Sequence, residues 1–378
     1  MTIDTSQTHD DLESHLRALT QSDAGRSLVV DGTVVIRHRE PDLPALLSES
    51  LWPSFPVLDG YREAPFHLRV IRDALEGISA PEHWPVTPTA AFLDGDPVLG
   101  VRYCDESAHS RYRWYTPDDL VVDRGNELIL VSRREDIGVT VRRVLRNHML
   151  YPRIQAGGFL PLHAAAIVAP GHGAVVFPGR SGAGKTSTSL PFVLYDGWPL
   201  LATDLVFVGT PAAPTALGTP ENITLGLGTI ANSPRLAELV PPPSPHPEQG
   251  DRRLWDIKAK LSFGLNAFSR RLGLDVATRA EVRMFAFPLI HPEIAQASIQ
   301  PLAAPEVERR LLTNTTSPEY HGYTAMLQAF RADPREVVVH RTVGLARALA
   351  ASVPGFQIAH DGSRRQQDEL RELIINAL

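Results

Sequence analysis

The stretch GRSGAGKT at residues 179–186 has the residue types and spacing of a phosphate-binding loop. It matches G-x-x-x-x-G-K-[ST] at every fixed position. Glycines let the backbone curve so that N–H groups point at phosphate oxygens. A lysine at the seventh position reaches β- and γ-phosphates, and a hydroxyl at the eighth suits Mg²⁺. We therefore predict binding of ATP and Mg²⁺ by Gly179, Arg180, Ser181, Gly182, Ala183, Gly184, Lys185 and Thr186.

A carboxylate follows the loop at a short distance. Asp204 lies 19 residues after Lys185, inside the apolar run LLATDLVFV. This interval accommodates one helix and the return of the chain, which predicts a parallel crossover that places the run beside the strand before the loop. An acid in an apolar run is costly unless it is paired or ligating. Asp204 is thus predicted to serve the metal or act as a base, with Glu221 as a second candidate metal ligand.

A histidine precedes the loop. His163 begins LHAAAIVA after its leucine, and a PGHG turn joins this run to GAVVF. The two runs predict a β-hairpin that brings His163 near the loop. One interpretation is a structural imidazole. The other is an acid–base group that orients a carboxylate or an attacking hydroxyl.

Lysine is rare in this chain. Only three of the 37 basic residues are lysines, namely Lys185, Lys258 and Lys260. The last two are two residues apart, so in a strand they face the same side. They follow a proline-rich stretch at 240–253, which predicts an extended loop. Contact with phosphate or an acidic substrate is one interpretation of this pair, and a solvated strand edge is the other.

The rest of the chain predicts two domains, an α+β domain at 1–154 and a second domain at 155–378. Runs at 27–38 and 118–132 predict hairpins around Asp-Gly and Arg-Gly-Asn turns. The apolar spacing predicts a short helix at 65–77 and a longer one from 137, with further helices at 304–312, 342–352 and 364–378. No chemical motif occurs in the first domain, so we predict a role in substrate recognition for it.

Composition argues against several classes of function. A net charge of −6 offers no broad cationic surface for nucleic acid. A single cysteine, Cys104, permits neither an internal disulfide nor a cysteine metal cage. No run of 18 apolar residues predicts a membrane span, and the acidic start lacks the apolar core of a signal peptide. We therefore expect a cytoplasmic protein.

Together, LHAAAIVA, GRSGAGKTSTSL and LLATDLVFV resemble the HPr kinase / phosphoenolpyruvate-carboxykinase-like P-loop family, especially its shorter HPr-kinase-related members. The resemblance covers about 155–378 and is strongest at 161–208. It implies an α/β fold with a P-loop kinase core, homo-oligomers, and transfer of phosphate from ATP to a serine or threonine of a peptide or small protein. By position, Lys185 would bind phosphates, Thr186 would hold Mg²⁺, Asp204 would serve the metal or act as base, and His163 would support that base.

The chain departs from this family at one place. The family has two adjacent acids in the strand after the loop, whereas this chain has Thr203-Asp204. Either Thr203 replaces the base, or Asp204 is the base and Leu205 replaces the other acid. Three hypotheses of function follow: a peptide kinase, a small-molecule hydroxyl kinase, and an ATP-binding regulator without catalysis.

Overall fold

The computed structural model describes residues 14, 16–19, 25–60, 63–73, 86–87, 92–93, 96–97, 101–107, 110–116, 118–210, 212–231, 233–239, 260–315 and 335–378. They form a mixed α/β structure with several sheets. Contacts divide the chain into two units, with the main division between Arg153 and Ile154. Within the described residues, no helix combines the length and the apolar character needed to cross a membrane.

The first unit is built around a nine-stranded sheet in the order β3-β1-β2-β4-β11-β10-β9-β8-β5. Strands β2, β4 and β11 are parallel neighbours, and the other pairs are antiparallel. The elements of this part of the chain are β1 (Arg26–Val30), β2 (Val34–His38), α1 (Leu43–Leu51), β3 (Val57–Asp59), β4 (Phe66–Arg72), β5 (Val86–Thr87), β6 (Phe92–Leu93), β7 (Asp96–Pro97), β8 (Val101–Ser107), β9 (Ser110–Thr116), β10 (Asp119–Asp123), β11 (Glu127–Ser132), α2 (Ile137–Val144), a π-helical segment (Leu145–Leu150) and α3 (Tyr151–Ala156).

The elements that follow belong to the second unit. They are β12 (Phe159–Ala169), β13 (Gly173–Pro178), α4 (Lys185–Asp196), β14 (Leu200–Ala202), β15 (Leu205–Gly209), β16 (Thr215–Gly218), β17 (Ile223–Gly226), α5 (Leu227–Ala231), α6 (Pro234–Ala237), β18 (Lys260–Phe263), α7 (Leu265–Leu272), β19 (Arg279–Ile290), β20 (Ser298–Leu302), α8 (Ala304–Thr313), α9 (Arg335–Ser352), β21 (Gly355–His360) and α10 (Arg364–Ala377).

Two long strands organise the sheet of the second unit. The order is β13-β12-β15-β16-β19-β21-β20, and a further pairing of β13 with β19 closes a ring of five strands. Strand β12 pairs antiparallel with β15 through Phe159–His163 and with β13 through Ala164–Ala169. Strand β19 runs parallel to β13 and β21. The hairpin predicted before the loop is thus confirmed as β12–β13.

Side chains of β12 alternate between two hydrophobic cores. Ala165 and Ile167 belong to the core that contains Leu190 and Val193 of α4. Ala164 and Ala166 belong to the core on the other side, with residues of α8 and α9. Because strand side chains alternate in direction, His163 faces the same side as Ala165, which is the side of α4. Both faces are covered, which explains why this strand reads as a nearly continuous apolar run.

Two sequence predictions are wrong. Within the predicted helix at 65–77, the described residues Phe66–Arg72 form β4, paired in parallel with β2 and β11, and not a helix. Its buried residues Leu68 and Val70 follow the two-residue period of a strand, and sheet pairing overrides the weak helical pattern. The predicted crossover is wrong as well. Strand β15 lies antiparallel to β12, and the parallel neighbour of β13 is β19.

Helix α4 continues past Pro191 to Asp196 and ends at Gly197, which has a left-handed conformation. Proline has no N–H, so the carbonyl of Ser187, four residues earlier, loses its helical donor. Gln367 of α10 donates its side-chain Nε2 to that carbonyl at 3.4 Å. Arg371 of α10 also pairs with Asp196 at 2.7 Å. The C-terminal helix thus compensates for the proline and fixes the far end of α4.

A buried histidine joins β21 to the start of α4. The backbone N–H of Gly362 donates to Nδ1 of His360 at 3.1 Å, so the proton of the neutral ring is on Nε2. That Nε2–H donates to the Thr188 hydroxyl at 2.9 Å. Both side chains are fully buried, and burial lowers the pKa of His360 to about 4. The ring is therefore neutral at pH 7 and anchors the second turn region of α4.

We expect this histidine to make the second unit less stable in acid. Its folded pKa lies below the unfolded value of 6.5, so its contribution is complete above pH 6.5 and is lost as pH falls to about 4. The difference corresponds to roughly 3 kcal/mol. Urea unfolding between pH 7 and 4 should show this loss in the wild type and a smaller one in His360→Gln. Equal pH slopes for the two proteins would contradict the assignment.

Candidate functional site

The loop at 179–184 lies between the end of β13 and the start of α4. Gly182 and Gly184 have φ angles of +84° and +87°, which favour glycine. A Cβ at Gly184 would lie 2.4 Å from Cδ1 of Ile290, at the end of β19. A Cβ at Gly179 would lie 2.8 Å from that of Ala183. The loop is therefore tightly folded, and two of its glycines are required by close packing.

The first N–H groups of α4 face this loop. Helices leave these N–H groups without partners in the helix, and no side chain caps them at Gly184. They carry the positive end of the helix dipole. The compact loop and the uncapped helix start together supply N–H donors of the kind that suits phosphate oxygens.

Lys185, the first residue of α4, is only 7% exposed. Its Nζ lies 3.0 Å from Nε2 of His163 and donates to the carbonyl of Arg180 at 3.3 Å. Burial is the main cause that lowers the pKa of Lys185 to about 8, and the positive charge of Lys260 acts in the same direction. The negative charge of Asp204 opposes them. An added anion at this position would restore the charge of the lysine.

His163 is positioned by backbone hydrogen bonds beside the first residue of the loop. Its carbonyl accepts the N–H of Gly179, the first loop residue, at 3.1 Å. Its own N–H donates to the carbonyl of Asn314 at 2.7 Å. The side chain reaches the predicted partner Asp204 as well as the loop lysine, because Nε2 lies 2.9 Å from Oδ1 of Asp204 and 3.0 Å from Nζ of Lys185. The structure thus brings His163, Lys185 and Asp204 together.

Asp204 does not lie within a strand, contrary to the sequence-based expectation. It occupies a bend between β14 and β15, both of which pair with β12. The carbonyl of Asp204 accepts the N–H of Ala164 at 3.1 Å, so the chain stays attached to β12 through the break. An irregularity of this kind redirects a side chain. Here it turns Asp204 toward His163, while the neighbouring Thr203 is buried.

The carboxylate of Asp204 is held in its charged form. Desolvation by the surrounding protein pushes its pKa up, but the hydrogen bond and the charge of His163 act against this. With the nearby charges of Lys185 and Lys260, they hold the pKa below its usual value. The side chain is also 60% exposed, so solvent and a substrate can reach it.

Lys185 and Asp204 compete for a hydrogen bond with Nε2 of His163. A protonated Nε2 donates to the carboxylate, whereas an unprotonated Nε2 accepts from the lysine ammonium. One nitrogen cannot do both with full strength. Any ligand that draws the ammonium of Lys185 away leaves Nε2–H of His163 to Asp204. The position of the Lys185 ammonium is therefore linked to the hydrogen bond between His163 and Asp204.

The other predicted residues have different outcomes. Thr186 lies in the first turn of α4, half-buried and next to Lys185. Glu221 lies on the connection between β16 and β17. Its role as a second metal ligand stays a prediction. Lys260 donates to the Ser181 hydroxyl at 3.1 Å. Lys258 lies outside the described residues.

Sequence analysis missed two contributors. Ile290 packs on Gly184, and His360 anchors Thr188. Both come from β19 and β21, more than 100 residues after the loop in the chain. An apolar residue at a strand end and a lone histidine carry no local signal, so only the sheet order could have identified them.

The residues present fit a magnesium–nucleotide. The loop glycines, the uncapped helix start and Lys185 supply donors for phosphates. For Mg²⁺ the protein offers the Thr186 hydroxyl and the Asp204 carboxylate. No group of three or more metal-ligating acids, histidines or cysteines exists within the described part of the chain. Mg²⁺ usually retains waters and takes substrate phosphates with one or two carboxylates, so this pair suits it when phosphate is present.

We expect Gly184→Ala to weaken nucleotide binding strongly. The new Cβ is strained by the positive φ and contacts Ile290, so the start of α4 must move. Gly182→Ala is the matched control, because it has a similar φ but no atom within 4 Å. Binding measured by fluorescence with a labelled nucleotide should fall about tenfold more for Gly184→Ala, because overpacking against Ile290 adds about 1–3 kcal/mol to the positive-φ strain that both variants share. Partial recovery in Gly184→Ala/Ile290→Ala would support the contact, and equal losses at 182 and 184 would contradict it.

We also expect proton uptake when a nucleotide binds. With a pKa of about 8, Lys185 is about half neutral at pH 8 and about one-tenth neutral at pH 7. Phosphates favour the charged form, so binding should take up about half a proton at pH 8 and little at pH 7. Calorimetry in two buffers of different ionisation enthalpy measures this number. Lys185→Arg, which is always charged, should abolish the difference between the two pH values; an unchanged value in that variant would contradict the assignment.

Comparison with known proteins adds no family to this geometry. No protein-family model matches the chain, and no curated protein matches it. The interpretation of the site therefore depends on the arrangement of Lys185, His163 and Asp204 around the loop.

Proposed function

We propose that this protein is an ATP-dependent kinase with an HPr-kinase-like P-loop core, which transfers the γ-phosphate to a serine or threonine hydroxyl of a peptide or small protein. The observation that carries the proposal is the position of Asp204. Its charged, accessible carboxylate is hydrogen-bonded to His163, and His163 also contacts the lysine of the loop. An ionised, accessible acid beside the loop can serve Mg²⁺, and it can also take the proton of an acceptor hydroxyl, as transfer requires.

Binding comes first in this mechanism. The loop N–H groups and the start of α4 hold the phosphates, and the ammonium of Lys185 moves from His163 to the β- and γ-phosphate oxygens. Mg²⁺, when bound, neutralises negative charge on those phosphates. The withdrawal of Lys185 leaves Nε2 of His163 with Asp204 as its partner. The hydrogen bond then fixes the carboxylate toward an incoming hydroxyl.

Transfer follows in line. The acceptor oxygen forms a bond to the γ-phosphorus while the bond from that phosphorus to the β,γ-bridging oxygen breaks, and ADP leaves. The proton of the acceptor hydroxyl passes to the carboxylate of Asp204. A carboxylate with a low pKa is a weak base, but in a loose transition state the proton moves late, so orientation matters more than basicity. His163 is a positioning residue in this scheme.

The Thr203-Asp204 pair is compatible with activity in this proposal. Asp204 is hydrogen-bonded to His163, and the charge of Lys185 helps to lower its pKa, which supports its assignment as the base. Thr203 is buried, and Leu205 begins β15 in place of a second acid. With one acid shared between metal and acceptor, we expect Mg²⁺ to be held mainly through Thr186 and phosphate oxygens.

We expect Asp204→Asn to reduce transfer strongly while nucleotide binding remains. General base catalysis contributes about 10²- to 10⁴-fold, so label transfer from Mg-ATP to a pool of serine- and threonine-containing peptides should fall by about that factor. Asp275→Asn is the matched control, because it makes the same change at an exposed carboxylate on the connection from α7 to β19. Its activity should equal that of the wild type.

The same assay separates the alternatives. Label in peptide from the wild type and from Asp275→Asn, but not from Asp204→Asn, is the expected result. Transfer that survives in Asp204→Asn would overturn the assigned base. Tight ATP binding without label in any peptide, together with ADP release in a metabolite extract, would indicate a small-molecule acceptor. Binding without any turnover would overturn the kinase proposal in favour of a nucleotide-binding regulator.

A further inference from the structure

A second lysine reaches the phosphate-binding loop from a different part of the sheet system. Lys260 is the first residue of β18 and is exposed. Its Nζ donates to the hydroxyl of Ser181, the third residue of the loop, at 3.1 Å. Ser181 is itself exposed, so this contact lies on the outer side of the loop.

The hairpin that carries Lys260 is attached to the loop helix. Strand β18 pairs with β17, with Lys260 opposite Gly226. Helix α5 follows β17 directly, and its Thr229 hydroxyl lies 2.9 Å from the hydroxyl of Ser187 on α4. Two contacts thus hold this hairpin on the loop and on α4. The position of the ammonium is set by the fold as well as by its own hydrogen bond.

The charge of Lys260 acts on both functional groups of the site. It lowers the pKa of Lys185, and it helps to hold down the pKa of Asp204. The hydrogen bond to Ser181 places the ammonium on the phosphate-binding loop that leads into Lys185. In-line transfer to a hydroxyl beside Asp204 requires the terminal phosphate between this loop and Asp204. Two lysines and one carboxylate leave an excess of positive charge that a terminal phosphate would neutralise.

We propose that Lys260 binds the terminal phosphate of ATP and so makes the site discriminate ATP from ADP. This inference rests on the proposed function. In the free protein, Ser181 holds the ammonium beside the loop. When ATP is present, Lys260 exchanges the hydroxyl for a charged oxygen of the γ-phosphate, a stronger hydrogen bond. ADP has no group at that position, so the lysine remains on Ser181.

The experiment measures nucleotide affinity, because the acceptor need not be known. The dissociation constants of Mg-ADP and of the Mg complex of β,γ-imido-ATP are compared by calorimetry for the wild type, Lys260→Met and Lys260→Arg. Arg270→Met is the matched control, since it removes one exposed positive charge from the end of α7. Lys185→Met provides the reference for loss of the whole phosphate site.

Lys260→Met should weaken the ATP analogue by about tenfold or more, the usual effect of a lost hydrogen bond to a charged group, and change ADP by less than about threefold. Lys260→Arg should keep most of the preference for the ATP analogue over ADP, and Arg270→Met should leave the affinity for both nucleotides unchanged. Equal effects of Lys260→Met on both nucleotides, or no effect, would overturn this inference and leave the proposed function standing. A wild-type protein that binds neither nucleotide would overturn both.

Discussion

The contact between Lys185 and His163 is the interaction on which the rest of this site depends. A buried ammonium is costly, and the protein accepts that cost at the first residue of a helix, beside an imidazole and a carbonyl. Burial is the main reason that the pKa of Lys185 falls to about 8, although the charge of Asp204 opposes the shift. A bound phosphate would therefore stabilise the charged form of the lysine, which favours binding. The same imidazole nitrogen also faces Asp204, so binding at the loop is coupled to the state of the acid.

The sheet places these three groups with few degrees of freedom. Strand β12 has covered faces on both sides, and its alternation directs His163 to the side of α4. The β12–β13 pairing puts that histidine opposite the first loop residue. The break between β14 and β15 then turns Asp204 to the same point. His163 is fixed within strand β12, Asp204 is tied to β12 by the backbone hydrogen bond from Ala164, and Lys185 is held at the start of α4. Support from strands and helices is more rigid than support from a loop.

Much of this site could be predicted from the sequence, because its signals are local. The loop has a motif with a defined backbone conformation, and the hairpin before it has a turn between two apolar runs. Asp204 could be identified because a charged residue in an apolar run is energetically costly. The bend between β14 and β15 that directs its side chain could not be predicted. The sequence interval fits a parallel crossover, and the antiparallel pairing with β12 depends on which strands close the ring. The same limit applies to β4, whose helical pattern is overridden by two parallel neighbours.

Contacts between distant segments explain what remained hidden. Gln367 replaces the N–H that Pro191 lacks, and His360 holds Thr188, although both lie about 170 residues or more from their partners. No periodicity or spacing encodes such pairs. The central claim, that the loop and Asp204 form one site around a terminal phosphate, is tested most directly by a crystal structure with Mg²⁺ and β,γ-imido-ATP. We predict Nζ of Lys185 within about 3.2 Å of β- and γ-phosphate oxygens, with Asp204 still bonded to His163 and facing the γ-phosphorus. A nucleotide bound elsewhere, or a terminal phosphate directed away from Asp204, would contradict the account.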